Sequence, residues 1–104
     1  MKTLITTQAK STDSPMDKRF GRSHYFCIYD DRDNSIVFED NPYIDSEGGA
    51  GSKTAELMIE KDIKKIISGH FGPKAKVLLG KFQIQLVETD DRLTIQEIIN
   101  KLKN

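Results

Sequence analysis

The sequence has one cysteine, no tryptophan and no excess of either charge, and each shortage closes off a class of function. Cys27 by itself can form no intrachain disulfide and no metal site made only of cysteines, a usage that fits a reducing cytoplasm. Sixteen basic residues balance sixteen acidic ones, and the isoelectric point falls near 6.7. A balanced chain lacks the basic surplus that draws proteins nonspecifically to nucleic acids or membrane surfaces, so neither is expected as a partner. Long apolar runs are missing too: none nears the ~20 residues that span a bilayer. Residues 1–7 are too short and too polar for a secretion signal. The expectation is a soluble, cytoplasmic protein. Its 104 residues, 37% of them hydrophobic, suffice for one core and not for two. Residues 1–104 therefore read as a single domain, without internal repeats or low-complexity tracts.

The pattern that is present alternates strands and helices. Residues 3–7 (Thr-Leu-Ile-Thr-Thr) are β-branched and apolar enough for a first strand, central in its sheet. Residues 24–29 and 35–39 predict two more strands, and the polar turn Asp30-Asp31-Arg32-Asp33-Asn34 between them predicts an antiparallel hairpin. A helix is expected over 53–61, with Ala55, Met58, Ile59 and then Ile63 on one face. Lys65-Ile66-Ile67 reads as a short buried strand. A short helix follows over 73–79, closed by Gly80 as a left-handed cap. Residues 82–87 alternate apolar and polar, which places them near a sheet edge. Thr94-Ile95-Gln96-Glu97 is a capping box, stapled by Leu93 and Ile98, and it opens a helix whose Ile95, Ile98, Ile99 and Leu102 share one side. The order β-β-β-α-β-α-β-α predicts an α/β fold, a mixed sheet of about five strands with helices packed against it.

Three loops carry the chemistry. In Ser68-Gly69-His70-Phe71-Gly72-Pro73-Lys74-Ala75 a strand stops and a helix starts. Pro73 suits the first helical position, where an N–H has no partner, and Gly72 lets the backbone approach a bound group. With His70 and Lys74 beside it, this helix mouth is suited to an anion, although the same residues also make a plain strand-to-helix turn. The loop over 8–23 is longer than most connections in compact domains and ends in Asp17-Lys18-Arg19-Phe20-Gly21-Arg22-Ser23. Arg19 and Arg22 offer directed donors to an anion, or the loop is a solvated charged segment with Phe20 in the core. The glycine-bearing loop over 41–52 lacks the Gly-Lys-Ser/Thr of a nucleotide-binding P-loop, because Lys53 follows Ser52. Through Gly49 and Gly51 it can wrap a ligand or simply turn. Cys27, in mid-strand, is first a small buried hydrophobe and second a candidate metal ligand; His24 reads as structural.

Arg19-Phe20-Gly21-Arg22-Ser23 leads into the strand Tyr25-Phe26-Cys27-Ile28-Tyr29, followed by Asn41-Pro42, Gly48-Gly49-Ala50-Gly51 and Gly69-His70-Phe71-Gly72-Pro73-Lys74-Ala75. In that order and spacing, along nearly its whole length, the chain resembles the dinitrogenase iron-molybdenum cofactor biosynthesis family, which includes NifX and the C-terminal part of NifB. The resemblance implies a ribonuclease H-like α/β fold. It also implies binding or carriage of an iron-sulfur-type or iron-molybdenum-type cluster, with a protein partner in cofactor assembly. Two positions depart from the family's pattern. Nitrogenase-associated members carry His-Phe-Gly where this chain has Arg19-Phe20-Gly21, and the glycine loop, which often begins with a histidine, here has Glu47. Both departures remove iron ligands. His70 and Cys27 remain as candidate metal ligands, and Arg19, Arg22, Lys74 and backbone amides remain to hold an anionic cluster.

Three classes of function are therefore in play. The first is a non-enzymatic binding module in which the loops around Arg19, Gly49 and His70 converge at the carboxyl ends of the strands and hold a metallocluster or another small anion. Its contacts would be Arg19, Phe20, Gly21, Arg22, Gly49, Gly51, His70, Gly72 and Lys74. The second is a regulatory or interaction domain without a cofactor, using an edge strand with an exposed Phe71 or Tyr43. The third is a nuclease, which needs carboxylates on the central strand to hold metal ions, and residues 4–7 offer none. The first is the reading adopted.

Overall fold

Leu4 and Ile5 project to opposite faces of the first strand, and the same alternation across its neighbours splits the hydrophobic core in two. The computed structural model describes residues 1–89 and 92–103. Strand β1 (Lys2–Thr7) runs antiparallel to β2 (Tyr25–Asp30) and parallel to β4 (Ile63–Ser68). Leu4 lies opposite Ile28 and Ile66, and Ile5 lies opposite Cys27 and Ile67. With a side-chain period of two, the first trio shares one face of the sheet and the second trio the other. Strands β3 (Ser35–Asp40) and β5 (Gln85–Glu88) are the edges, giving the order β3-β2-β1-β4-β5. This is the mixed, ribonuclease H-like arrangement that the resemblance implied, with the first strand central as its β-branched and apolar residues predict.

Helices α1 (Ala50–Glu60) and α2 (Pro73–Lys81) cover the first face, packing Ala55, Met58, Ala75 and Leu79 with Phe20, Phe26 and Phe71. Helix α3 (Ile95–Lys103) covers the second, packing Ile95, Ile98 and Ile99 with Met16 and Cys27. Its expected capping box is realised: the Thr94 amide donates to Glu97 Oε1 at 3.0 Å, and the Glu97 amide donates to Thr94 Oγ1 at 3.1 Å. Among the described residues no helix is long and apolar enough to cross a membrane.

Four local expectations are corrected. Helix α1 starts at Ala50 and not at residue 53, with Gly49 in the left-handed region (φ 69°) as its N-cap. Gly80 does not close α2. It lies inside the helix, and Gln83 takes the left-handed conformation (φ 58°) instead. There the Gln83 amide donates to the Gly80 carbonyl at 3.0 Å and the Ile84 amide to the Leu79 carbonyl at 3.2 Å, the paired bonds of a Schellman cap. Ile84 and Leu79 are buried in the same core, so the apolar contact across the cap decides where the helix stops, against the glycine's preference. The final strand is correspondingly shorter than residues 82–87, because Phe82 and Gln83 belong to the helix end. Phe71, 1% exposed, is a core residue and offers nothing to a partner.

Candidate functional site

Because β1 and β4 are parallel neighbours, their carboxyl ends meet at one edge, and the loops that leave them are tied together there. The Thr6 hydroxyl donates to the Asp17 carbonyl at 2.6 Å, the Asp17 amide donates to the Thr6 carbonyl at 2.9 Å, and the Ser68 hydroxyl lies 2.8 Å from that of Thr6. Further out, Arg19 and His70 form a parallel backbone bridge, and the Phe20 amide donates to the His70 carbonyl at 3.2 Å. Beneath the bridge the Phe20 and Phe71 rings pack with centroids 5.2 Å apart, fixing both loops to the core. Two glycines make this closeness possible. A Cβ on Gly69 would sit 2.6 Å from Lys18 Cα, and one on Gly21 would sit 2.8 Å from both Cα and N of Gly51.

The third loop is braced from the same side. Arg22 donates to the carbonyls of Ile44 at 3.0 Å and Ser46 at 2.8 Å. Asn41 Nδ2 donates to the carbonyls of Gly21 at 3.0 Å and Ser23 at 2.9 Å, while its Oδ1 accepts from the Tyr43 amide at 2.9 Å. Arg22 lines the site as expected, but its guanidinium is engaged with loop carbonyls, so it shapes the wall.

The result is an open cavity of about 510 Å³ lined by residues 19–22, 49–52, 70 and 72–75. Each residue expected to contact a ligand (Arg19, Phe20, Gly21, Arg22, Gly49, Gly51, His70, Gly72 and Lys74) lies on it. The N-termini of α1 and α2 both open onto this space. Neither carries a side-chain cap, and neither has an acidic residue in its first turn. No lining residue is an Asp or Glu. Helix dipoles and unpaired amides thus add to the charges of Arg19 and Lys74, and the one carboxylate paired with either is that of Asp17, set behind Arg19 and not on the cavity wall. Arg19 is 52% exposed and touches the buried carboxylate of Asp17 only at 3.5 Å through Nε, so the rest of its fork is available. Asp17 also accepts from the Arg19 amide at 3.0 Å, which sets the backbone of this loop.

Cys27 is not brought to the cavity. The register that sets it opposite Ile5 turns it to the α3 face, where it is fully buried. Burial pushes its thiol up to about 12, so it stays neutral there, away from the cavity. Among the described residues no three His, Cys, Asp or Glu side chains gather closely enough to hold a metal ion. Of the residues that line the cavity, His70 alone has a side chain of a type that ligates metals. Asp17 and Asn41, which hold the loops, escaped sequence reading because polar loop residues look alike until their partners are known. The first turn of α1, including Ala50 and Ser52, was hidden by reading the glycines as loop.

A ribonuclease H-like α/β domain with an open, carboxylate-free cavity at the carboxyl edge of its sheet is thus the class defined by fold and site. The chain belongs to the dinitrogenase iron-molybdenum cofactor family, whose model matches residues 1–104. It is similar in structure to the apo form of the orange protein from Desulfovibrio gigas, with 23% sequence identity and a TM-score of 0.91 over 98% of this chain and 86% of that one. It is also similar to a NifB-like protein from Thermotoga, with 24% identity and a TM-score of 0.82 over 98% and 86% of the two chains. At these identities the likeness shows the fold. No curated protein matches the chain.

Proposed function

We propose that this domain binds and carries a small anionic cargo, a metal-sulfur cluster of the kind its family is named for, in the cavity between the mouths of α1 and α2. One observation carries the reading: two uncapped helix N-termini open onto one space beside Arg19 and Lys74, and no carboxylate lines it. The donor set fits a cluster that keeps its own sulfur ligands. Amides and cations can hydrogen-bond to terminal sulfur or oxygen atoms, His70 can give one metal bond, and no thiolate is at hand to build a cluster on the chain itself. The role is carriage, in support of cofactor assembly in the cytoplasm, and involves no catalysis. An ordinary small anion would use the same donors, and the experiment separates the two.

The test is anaerobic reconstitution with ferrous iron and sulfide, followed by metal and sulfide analysis and absorption spectroscopy. Wild type is expected to hold iron and sulfide together. Arg19→Ala and His70→Ala should each lose about tenfold or more in affinity, in keeping with ~1.5–3 kcal/mol for a charged hydrogen bond. Equal loading of both variants would remove these residues from the site, and a wild type that binds phosphate but no iron would reduce the cavity to an anion pocket.

A further inference from the structure

Helix α2 has a second apolar stripe on its outward side. Ala75 and Leu79 face the core, yet Val77 and Phe82 are 62% and 54% exposed, two of four large hydrophobic side chains so exposed among the described residues. Lys74, Val77, Leu78, Lys81 and Phe82 follow the spacing of one helix face. A shallow depression of about 410 Å³ runs along it from Pro73 to Lys81. Pro73 and Lys74 line both this depression and the cargo cavity, so the stripe begins at the cavity mouth. Residues 73–81 contain three lysines and no carboxylate. Lys76 pairs with Glu88 at 3.1 Å, while Lys74 and Lys81 border the apolar stripe.

We propose that this face docks a protein whose own surface is acidic around an apolar anchor, and that the docked partner sits over the cavity mouth to deliver or collect the cargo. The exchange role rests on the reading of the cavity given above; the docking does not. Charge decides the occupant. A second copy in two-fold contact would set Lys74 and Lys81 against the same lysines, a repulsive arrangement. A membrane surface needs a broader apolar face than Val77 and Phe82 provide. An acidic protein makes the lysines steering contacts and the apolar pair a buried anchor.

The test places the photo-crosslinker p-benzoylphenylalanine at Val77 and, as a control, at Val37 on the opposite edge strand, and activates it in the source cells. Adducts are identified by mass spectrometry, and the captured protein is purified for affinity measurements. The expected result is one protein captured at position 77 and not at 37, cross-linked through a segment rich in Asp and Glu. Its affinity should fall about tenfold or more in Lys81→Glu and in Val77→Asp, while both variants load iron and sulfide as wild type does. Equal adducts at both positions, an adduct to lipid or to a second copy, no adduct, or an affinity unmoved by Lys81→Glu would overturn the proposal. Failure of wild type to load iron would strike the cavity reading alone and leave the docking measurements standing.

Discussion

Gly21 shows how much of this site hangs on one missing methyl group. Its position packs against the backbone of Gly51, so Gly21→Ala must push the first loop away from the mouth of α1. The expected cost is ~1–3 kcal/mol, typical of overpacking against atoms that cannot yield, and it should appear as a lower midpoint in denaturant. Gly72→Ala is the contrast, since Gly72 has φ −68° and a Cβ there would meet nothing within 4 Å. Its midpoint should stay near that of wild type. The sequence marks both glycines as candidate contacts of a ligand and cannot rank their packing, because what distinguishes Gly21 is a neighbour thirty positions away. Cys27 makes the same point from the other side: its strand was legible, but which face it turned to depended on register with β1.

At the level of elements, helix ends show where local signals win and where packing overrides them. Thr94 and Glu97 behave as their spacing predicts. The Thr94 amide, and then its hydroxyl, hold the Glu97 carboxyl below the usual glutamate range. A carboxylate whose pKa is lowered by folding stabilises fully above its unfolded value of about 4.3, and that contribution is lost as pH falls through the folded value. The difference in thermal midpoint between wild type and Glu97→Gln should therefore shrink as the pH is lowered from neutrality into the acid range. Gly80 behaves otherwise. Inside α2, with open space around its missing side chain, it is only a weak helix former. Gly80→Ala should raise stability by ~0.5–1 kcal/mol, read by thermal or denaturant melts. Were Gly80 the left-handed cap that its spacing suggested, the same substitution would destabilise.

For the whole molecule, a net charge of zero means that the proposed attraction for an anionic cargo must come from local arrangement and not from the field of the chain. Cargo loading should thus weaken as ionic strength rises from about 0.1 M to about 1 M, where the screening length contracts from ~10 Å to ~3 Å. The exposed Arg19 and Lys74 are the groups that screening reaches first. By itself the sequence determined the alternation of strands and helices, the central first strand, the capping box and the family, because each of these is written in neighbouring residues or in the order of short motifs. Only the tertiary structure decided that Arg22 braces a loop, that Cys27 is sealed on the opposite face, and that two helix mouths share one cavity. Those outcomes depend on strand register and on contacts between loops far apart in the chain, and a periodicity confined to a few residues carries no information about either.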